Sequence, residues 1–274
     1  MKNVICAMDE QKKQFDFGEN WDEFSRKALN PERVRQARDD FSKLLEGTEL
    51  QGRSFVDIGF GQGLSLLAAT ASGAFTVGCD INPKCKEVLD ANRRCFPEAE
   101  AACIPVITGS ILDDAVLNNI RATVPGGQFD IVHSWGVLHH TGNMKKAIVN
   151  AASLVKPGGR FVLAIYNRHW TSPVWFIIKW FYNMMPKFVR KIMILIFYPV
   201  IWLAKYAVTK DDPKKQARGM DFYYNVIDWV GGYPYEYASL DKIEKMLAGL
   251  GFAPVKKIPA QVPTGCNEFV FEKL

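Results

Sequence analysis

The sequence predicts an α/β fold, a doubly wound and mostly parallel sheet with helices on both faces, and two observations carry that prediction. Short apolar runs of strand character alternate five times with helical patterns between residues 54 and 166, and the first run ends in a cluster of glycines. Regular β–α alternation lays successive strands parallel, with right-handed crossovers that place helices over the sheet. Glycines just past the first strand let the chain turn sharply and let a ligand approach the backbone.

The elements follow in order. Residues 1–30 read as irregular and aromatic, with FDFGENWDEF the densest part. The initial MKNVICAMDEQKKQ has no extended apolar core and carries acids, so it is not expected to be a secretion signal. Pro31 suits a first helical turn, and Val34, Ala37, Phe41, Leu44 and Leu45 recur at helical spacing to about Glu46. After Gly52 come strand SFVDIG, helix LSLLAATAS, strand FTVGCDI and helix PKCKEVLDANRRC. Strand IPVITGS, helix DDAVLNNIRATV, strand FDIVHSW and helix MKKAIVNAASLV follow, the last stopped by Pro157-Gly158-Gly159 before strand RFVLAIY. The alternation then breaks. Residues 170–208 are dense in Trp, Phe, Ile and Met, and 210–239 are polar and rich in Tyr. SLDKIEKMLAGLGF restores a helix, with Ser239 as N-cap and Gly251 as stop, and APVKKIP and NEFVFEKL are two further strands. The chain thus reads as one domain over 1–274. Residues 1–49 supply an N-terminal flap and helix, and 168–238 an inserted hydrophobic lid or substrate segment, as long insertions beyond strand ends often do.

Apolar residues make up 48% of the 274 and charged residues 23%, enough for a real core and against bulk disorder. The net charge of +5 is unevenly spread. Residues 131–210 contain no Asp or Glu and carry +11, so the remainder sums to −6. That asymmetry either reflects an apolar segment that happens to lack acids or favours an anionic partner such as a phospholipid surface. Cys6, Cys79, Cys85, Cys95, Cys103 and Cys266 contain no CxxC pair. Reduced cytoplasmic thiols are expected, with neither a metal site nor a disulfide framework.

The sharpest local signal is Val56-Asp57-Ile58-Gly59-Phe60-Gly61-Gln62-Gly63. A nicotinamide-binding turn has GxGxxG spacing; here it is GxGxG, with an acid two residues before it. An acid at that point suits an amine-bearing or cationic ligand better than a pyrophosphate. Asp80, at the end of the second strand, is placed to accept both hydroxyls of a ribose.

In order and spacing, VDIGFGQG, CDI, ITGSI, FDIVHSWGVLHHT and LVKPGGRFVLAIY resemble the motifs of class I S-adenosylmethionine-dependent methyltransferases, over roughly residues 50–166. The resemblance implies a seven-stranded sheet with an antiparallel last strand, and S-adenosyl-L-methionine as cofactor. It implies that Asp57, Gly59, Gly61 and Gly63 surround the methionine part, that Asp80 and Ile81 hold the ribose end, and that Ser110 and Ile111 lie along the adenine. Ser134 and Trp135 would face the methyl group. FGENW and DWVGGYP are similar to a bacterial subgroup likened to ubiquinone-pathway O-methyltransferases. Phe17, Asn20 and Trp21 are expected to cap the cofactor.

A hydroxyl or thiol acceptor must lose a proton. His139 and His140 follow the fourth strand, where a substrate should sit, and imidazole suits a base near neutral pH. Tyr166 and Asn167 end the fifth strand, with His169 and Trp170 just beyond. MDFYYNVIDWVGGYPYEYA, with Asp221, Tyr223, Tyr224, Asp228 and a Gly-Gly turn, reads as a pocket wall. The apolar segment 174–208 has no uncharged run longer than Ile192–Ala204, and Pro186 and Pro199 interrupt it. A bilayer span needs about 20 residues, so spanning is not expected. A pocket-shaping lid is favoured over an interfacial segment resting on lipid.

The expected reaction is methyl transfer to a small, hydrophobic or anionic acceptor, at oxygen or sulfur, in the cytoplasm with contact to a membrane surface as the alternative setting. Methyl transfer to RNA or protein is the second reading, but no RNA-binding module is present and SWGV stands where an NPPY-type motif would mark nitrogen chemistry. A non-catalytic cofactor-binding subunit is the third, and a nicotinamide oxidoreductase is disfavoured by the glycine spacing.

Overall fold

The computed structural model describes residues 15–274; Cys6 and the stretch expected to lack a secretion signal lie outside the described residues. Seven strands, β1 (Ser54–Ile58), β2 (Phe75–Asp80), β3 (Val106–Thr108), β4 (Phe129–Trp135), β5 (Val155–Tyr166), β6 (Phe252–Ile258) and β7 (Cys266–Lys273), form one sheet in the order β3-β2-β1-β4-β5-β7-β6. β1 to β5 run parallel, and β7 is antiparallel to both β5 and β6.

The strands are apolar on both faces because helices cover both. On one side Phe55, Ile131, Val162 and Val270 meet α2 (Pro31–Leu44), α3 (Leu64–Ala71) and α4 (Lys84–Asn92) through Phe41, Leu66, Leu67 and Leu89. On the other, Val56, Val132, Leu163 and Phe269 meet α5 (Asp114–Arg121), α6 (Met144–Ser153) and α10 (Leu240–Ala248) through Leu117, Ile148, Ala151 and Leu247. Ser239 caps α10 by accepting from the Lys242 N–H, as expected. A third, separate apolar cluster of Phe15, Tyr182, Ile194, Phe222, Val226 and Val230 joins α7 (Ser172–Met184), α8 (Lys187–Thr209) and α9 (Phe222–Gly231). These three helices are the insertion between β5 and α10.

Four local expectations change. The stretch read as irregular contains α1 (Phe17–Lys27), whose N-cap Asp16 accepts from the Glu19 N–H at 3.1 Å. Phe17, Trp21 and Phe24 recur at helical spacing, but Gly18 masks the pattern. That glycine is needed because a Cβ there would lie 2.3 Å from the Asn82 side chain. Second, α6 ends at Ser153 and β5 begins at Val155. Pro157-Gly158-Gly159 therefore does not stop a helix. It takes up an irregularity in which Phe129 pairs Val155 and Ile131 pairs Arg160. Third, the polar Tyr-rich stretch contains α9, capped by Asp221 through the Tyr223 and Tyr224 N–H groups. Fourth, Pro186 separates α7 from α8, but Pro199 lies within α8, a continuous 23-residue helix. Pro199 forfeits one i→i−4 hydrogen bond on a helix of which only Ile194 is buried, where bending meets little resistance. By length and composition alone, α8 is long and apolar enough to cross a bilayer.

At the base of the sheet, Asp130 joins β1, β4 and β5. It accepts from the Ser54 N–H and hydroxyl at 3.0 and 2.7 Å and from Arg53 at 3.0 Å, and it pairs with Lys156. Burial opposes ionisation, but the hydrogen bonds from Lys156, Ser54 and Arg53 outweigh it and hold the carboxyl well below the usual range. A depressed folded-state pKa adds stability above the unfolded value of about 3.9 and loses it as pH falls through the folded one. Asp130→Asn is expected to lower Tm by a few degrees at pH 7. In thermal melts the gap from wild type should shrink steadily below about pH 4.

Candidate active site

β1 connects outward to β2, whereas β4 begins the other half of the sheet. The crevice between their carboxyl ends is where such sheets take ligands, and a cavity of about 810 Å³ lies there.

Asp57, on β1, is 2% exposed. It is held by the facing residue of β4, His133, whose Nδ1 lies 2.7 Å from Asp57 Oδ1. The His133 ring stacks on Phe55 at 5.7 Å, with Phe41 edge-on at 6.1 Å, so the imidazole has one orientation. Past Asp57 the chain turns through Gly59, Gly61 and Gly63. At Gly61 φ is +53°, and a Cβ would lie 2.8 Å from the Trp21 indole nitrogen. Gly63, with φ +78°, is the N-cap of α3. Asp80 closes this end. Its two oxygens accept from the Gly61 N–H at 3.0 Å and the Asn82 N–H at 2.9 Å. Burial pushes its carboxyl above the ordinary range, against the pull of those N–H groups.

Trp21, Asp57, Gly59, Gly61, Asp80, Ile81, Ser110, Ile111 and Trp135 all line the cavity, together with Phe17. Three expected residues do not. Ser134 is fully buried with its hydroxyl spent on the Ile58 carbonyl at 2.9 Å, so it braces β4 against β1 rather than facing the methyl group. Gly63 sits behind the wall, against Leu89. Asn20 is also withdrawn: it is buried and reaches the Tyr224 carbonyl, tying α1 to α9.

The opposite end is built by the turn after β4, the end of β5, and α9. His139, His140, Tyr166, Asp228 and Trp229 line it. His139 Nδ1 accepts from the Tyr166 N–H at 3.3 Å, which leaves the proton on Nε2; that atom is buried and without a partner. His140 donates from Nδ1 to the Pro234 carbonyl at 2.6 Å. Burial drives the pKa of His139 well below its ordinary value and that of His140 to about 3, so both are neutral at physiological pH. Burial raises the Tyr166 phenol well above its usual range. Asn167 is drawn off to the Pro263 carbonyl, and His169 and Trp170 line a separate shallow pocket. The tyrosine-rich motif splits in two. Asp221 caps α9 and pairs with Arg33 at 2.6 Å, while Asp228 reaches the cavity.

Arg218 carried no signal in the sequence. Its guanidinium lies 4.3 Å over the Trp135 ring and donates to the Ser65 hydroxyl at 2.9 Å, tying the segment before α9 to the residues just past the glycine turn. Its φ of +59° is unusual for a residue with a side chain.

The wall of the glycine turn therefore presents two carboxylates and close backbone. A pyrophosphate would meet Asp57 and Asp80, whereas a ribose with a sulfonium and an ammonium group matches them. Trp135 Nε1 and Gln62 Oε1, both buried without partners on this wall, leave hydrogen-bonding capacity for such a ligand. The residues fit S-adenosylmethionine.

A methyltransferase domain signature covers residues 29–257. The chain belongs to the methyltransferase domain family. It is 28% identical over 149 residues to a ubiquinone biosynthesis O-methyltransferase of Rhodopseudomonas palustris, covering 53% of this chain and 54% of that protein. It thus spans about half the length of the curated relatives it matches. Among solved structures, an O-methyltransferase family protein from Burkholderia thailandensis superposes with TM-score 0.53 at 14% identity, over 92% of this chain and 59% of that one. The magnesium protoporphyrin IX methyltransferase of Synechocystis, solved with S-adenosylhomocysteine bound, gives 0.51 at 16%, over 88% and 83%. At such identities these structures show the shared fold.

Gly61→Ala is expected to strain the turn and displace the Trp21 indole. Calorimetric titration with S-adenosylhomocysteine should show affinity reduced by about tenfold or more, with little change in Tm.

Proposed function

We propose that this protein transfers a methyl group from S-adenosylmethionine to a small, largely apolar acceptor, at oxygen in preference to sulfur. The observation that carries the reading is the division of one cavity into two chemically different ends. Asp57 and Asp80 stand at one, and unpartnered donors and an acid stand among aromatic rings at the other. S-adenosylmethionine supplies a methyl group already activated on a sulfonium leaving group, so the protein's work is mostly positioning. Asp80 takes the ribose hydroxyls, Asp57 faces the positively charged end, and Ile81, Ser110 and Ile111 flank the base. Phe17 and Trp21 roof the site against water. His139, His140 and Tyr166 shape the acceptor end, with His139 Nε2–H free to donate. The likeness to ubiquinone biosynthesis O-methyltransferases supports oxygen as the accepting atom.

The test is titration with S-adenosylmethionine, S-adenosylhomocysteine and NADH, alongside Asp80→Ala. Binding of both adenosyl compounds, weakened at least about tenfold in the variant, is expected. Preference for NADH, or no adenosyl binding by folded protein, overturns the reading.

We further propose that the outer face of α7 and α8 rests on an anionic membrane surface, from which an apolar acceptor enters. Leu195 is 75% exposed and Leu203 60%, in a band with Phe176, Ile177, Phe188 and Ile192. Lys187 and Lys191 lie exposed on the same helix, within the acid-free span. Bulky apolar groups beside cations suit insertion at a headgroup boundary. The inner side of α8 contributes Lys205 and Thr209 to the cavity wall, linking the two surfaces. In co-sedimentation at low salt, the protein should pellet with vesicles containing phosphatidylglycerol more than with pure phosphatidylcholine. Leu195→Glu with Leu203→Glu should stay in the supernatant. Wild-type protein indifferent to both vesicles overturns the membrane contact.

A further inference from the structure

Behind the acceptor end lies a pair of charges that donor binding does not use. Lys179, on α7, is 1% exposed. Its ammonium bonds the Trp229 carbonyl and sits 4.9 Å from the Tyr235 ring centre, 5.2 Å from that of Tyr166 and 5.8 Å from that of Trp229. Asp228, one residue before Trp229 on α9, lines the cavity with Oδ1 shut away from solvent and without a hydrogen-bond partner. The lysine's hydrogen bond goes to a carbonyl, and the two charges act on each other across a gap. A buried carboxylate oxygen with nothing to accept from is costly. On residues that line the same cavity, His139 Nε2 and Trp229 Nε1 are likewise buried and unpartnered. Three such atoms at one end of one cavity describe a recess with two N–H donors and one acceptor, walled by aromatic rings.

We infer that Asp228 is the proton acceptor for a weakly acidic hydroxyl, phenolic or enolic, on the methyl acceptor, with Lys179 as its positioning residue. The inference rests on the donor reading above. The acceptor hydroxyl gives its proton to the Asp228 carboxylate as its oxygen bonds the methyl carbon. The electron pair of the breaking carbon–sulfur bond stays on sulfur, which ends as a neutral thioether. The aspartate ends protonated and neutral, so charge balances. A carboxylate is too weak a base for an ordinary alcohol, which selects an acidic hydroxyl.

The surroundings support this assignment. Burial pushes Asp228 above the usual carboxylate range, and Lys179 pulls it back; burial pushes Lys179 down, and Asp228 sustains it. The other titratable groups facing the pair are neutral near pH 7. Burial raises Tyr166 on β5, Cys266 on β7 and Tyr235, the last to about 12, and it lowers His139 and His140.

The experiment is single-turnover transfer of radiolabelled methyl from S-adenosylmethionine to 4-nitrophenol and a series of 4-alkylphenols, from pH 5 to 9. S-adenosylhomocysteine titration of each variant runs in parallel. Wild-type rates should rise with pH along a limb above the ordinary carboxylate range. Asp228→Asn should lower the rate by about a hundredfold or more, with S-adenosylhomocysteine affinity unchanged, and Asp228→Glu should restore part of it. Lys179→Met should move the limb to higher pH, since a carboxylate without its neighbouring cation holds its proton longer. A fully active Asp228→Asn, a limb that Lys179→Met leaves in place, or no phenol methylated by protein that binds S-adenosylhomocysteine each overturns the assignment. Should Asp228→Asn fail to fold, the limb in Lys179→Met decides. Failure of wild type to bind S-adenosylhomocysteine would instead defeat the donor reading.

Discussion

A carboxylate buried at the carboxyl end of a strand needs a partner, and Asp57 has one in His133 on the neighbouring strand. The two face each other across the point where the sheet reverses its winding. The imidazole is held edge and face by Phe41 and Phe55, which belong to the apolar layer under α2 and α3. Core packing thereby fixes the direction of a charge, and that charge stands at the mouth of the glycine turn. The turn closes onto Asp80 through the Gly61 N–H and onto Trp21 through the absence of a side chain at Gly61. Loosening the His133 ring would leave a buried acid without its hydrogen bond and the turn without its anchor, so β1, β4, α1 and α3 are coupled through one contact.

The cavity is assembled from two kinds of part. Its floor is the central sheet, closed by complete ladders and two apolar layers. Its roof is α1 and the α7–α9 insertion, whose own small cluster includes Phe15 from the N-terminal side. α1 holds α9 through Asn20 on the Tyr224 carbonyl, and α2, which belongs to the floor, holds the insertion through Arg33 on Asp221. The roof pieces also meet the floor through Arg218 over Trp135 and Asn82 on Asp16 at 2.8 Å. Further polar contacts join roof to floor, among them the Arg218 N–H on Asp40, the Arg218 guanidinium on Ser65 and Asn92 on Ser25, and Trp21 packs against the apolar layer.

The sheet was legible because each strand is a short apolar run bounded by glycine, proline or polar residues, and both end strands were visible as APVKKIP and NEFVFEKL. The donor end was legible for the same local reason: Asp57, the glycines and Asp80 sit on strand ends with fixed spacing. The acceptor end was only partly so. Asp228 stood out in DWVGGYP, but nothing local to Lys179 says that a lysine in an apolar helix turns inward. Arg218 is placed by a left-handed backbone inside a loop. Ser134 misled because strand position alone does not say whether a hydroxyl faces the crevice or the next strand's carbonyl. α1 was hidden by Gly18, whose reason is the distant Asn82. Pro199 was read as a breaker because proline lacks an N–H and its ring crowds the preceding turn, but a single lost bond is absorbed within the long, mostly bare α8.

The position of β7 has a consequence for the order in which this fold is completed. It lies between β5 and β6 and pairs with both, although it follows both in the chain. During synthesis, β6 has no neighbour and β5 shows an open edge until residues 266–273 have emerged. Phe269 and Phe271, which belong to one apolar layer, and Val270, which belongs to the other, arrive together on that strand. Both layers thus close in a single late event, and a nascent chain interrupted before it carries an exposed ladder able to pair with another copy.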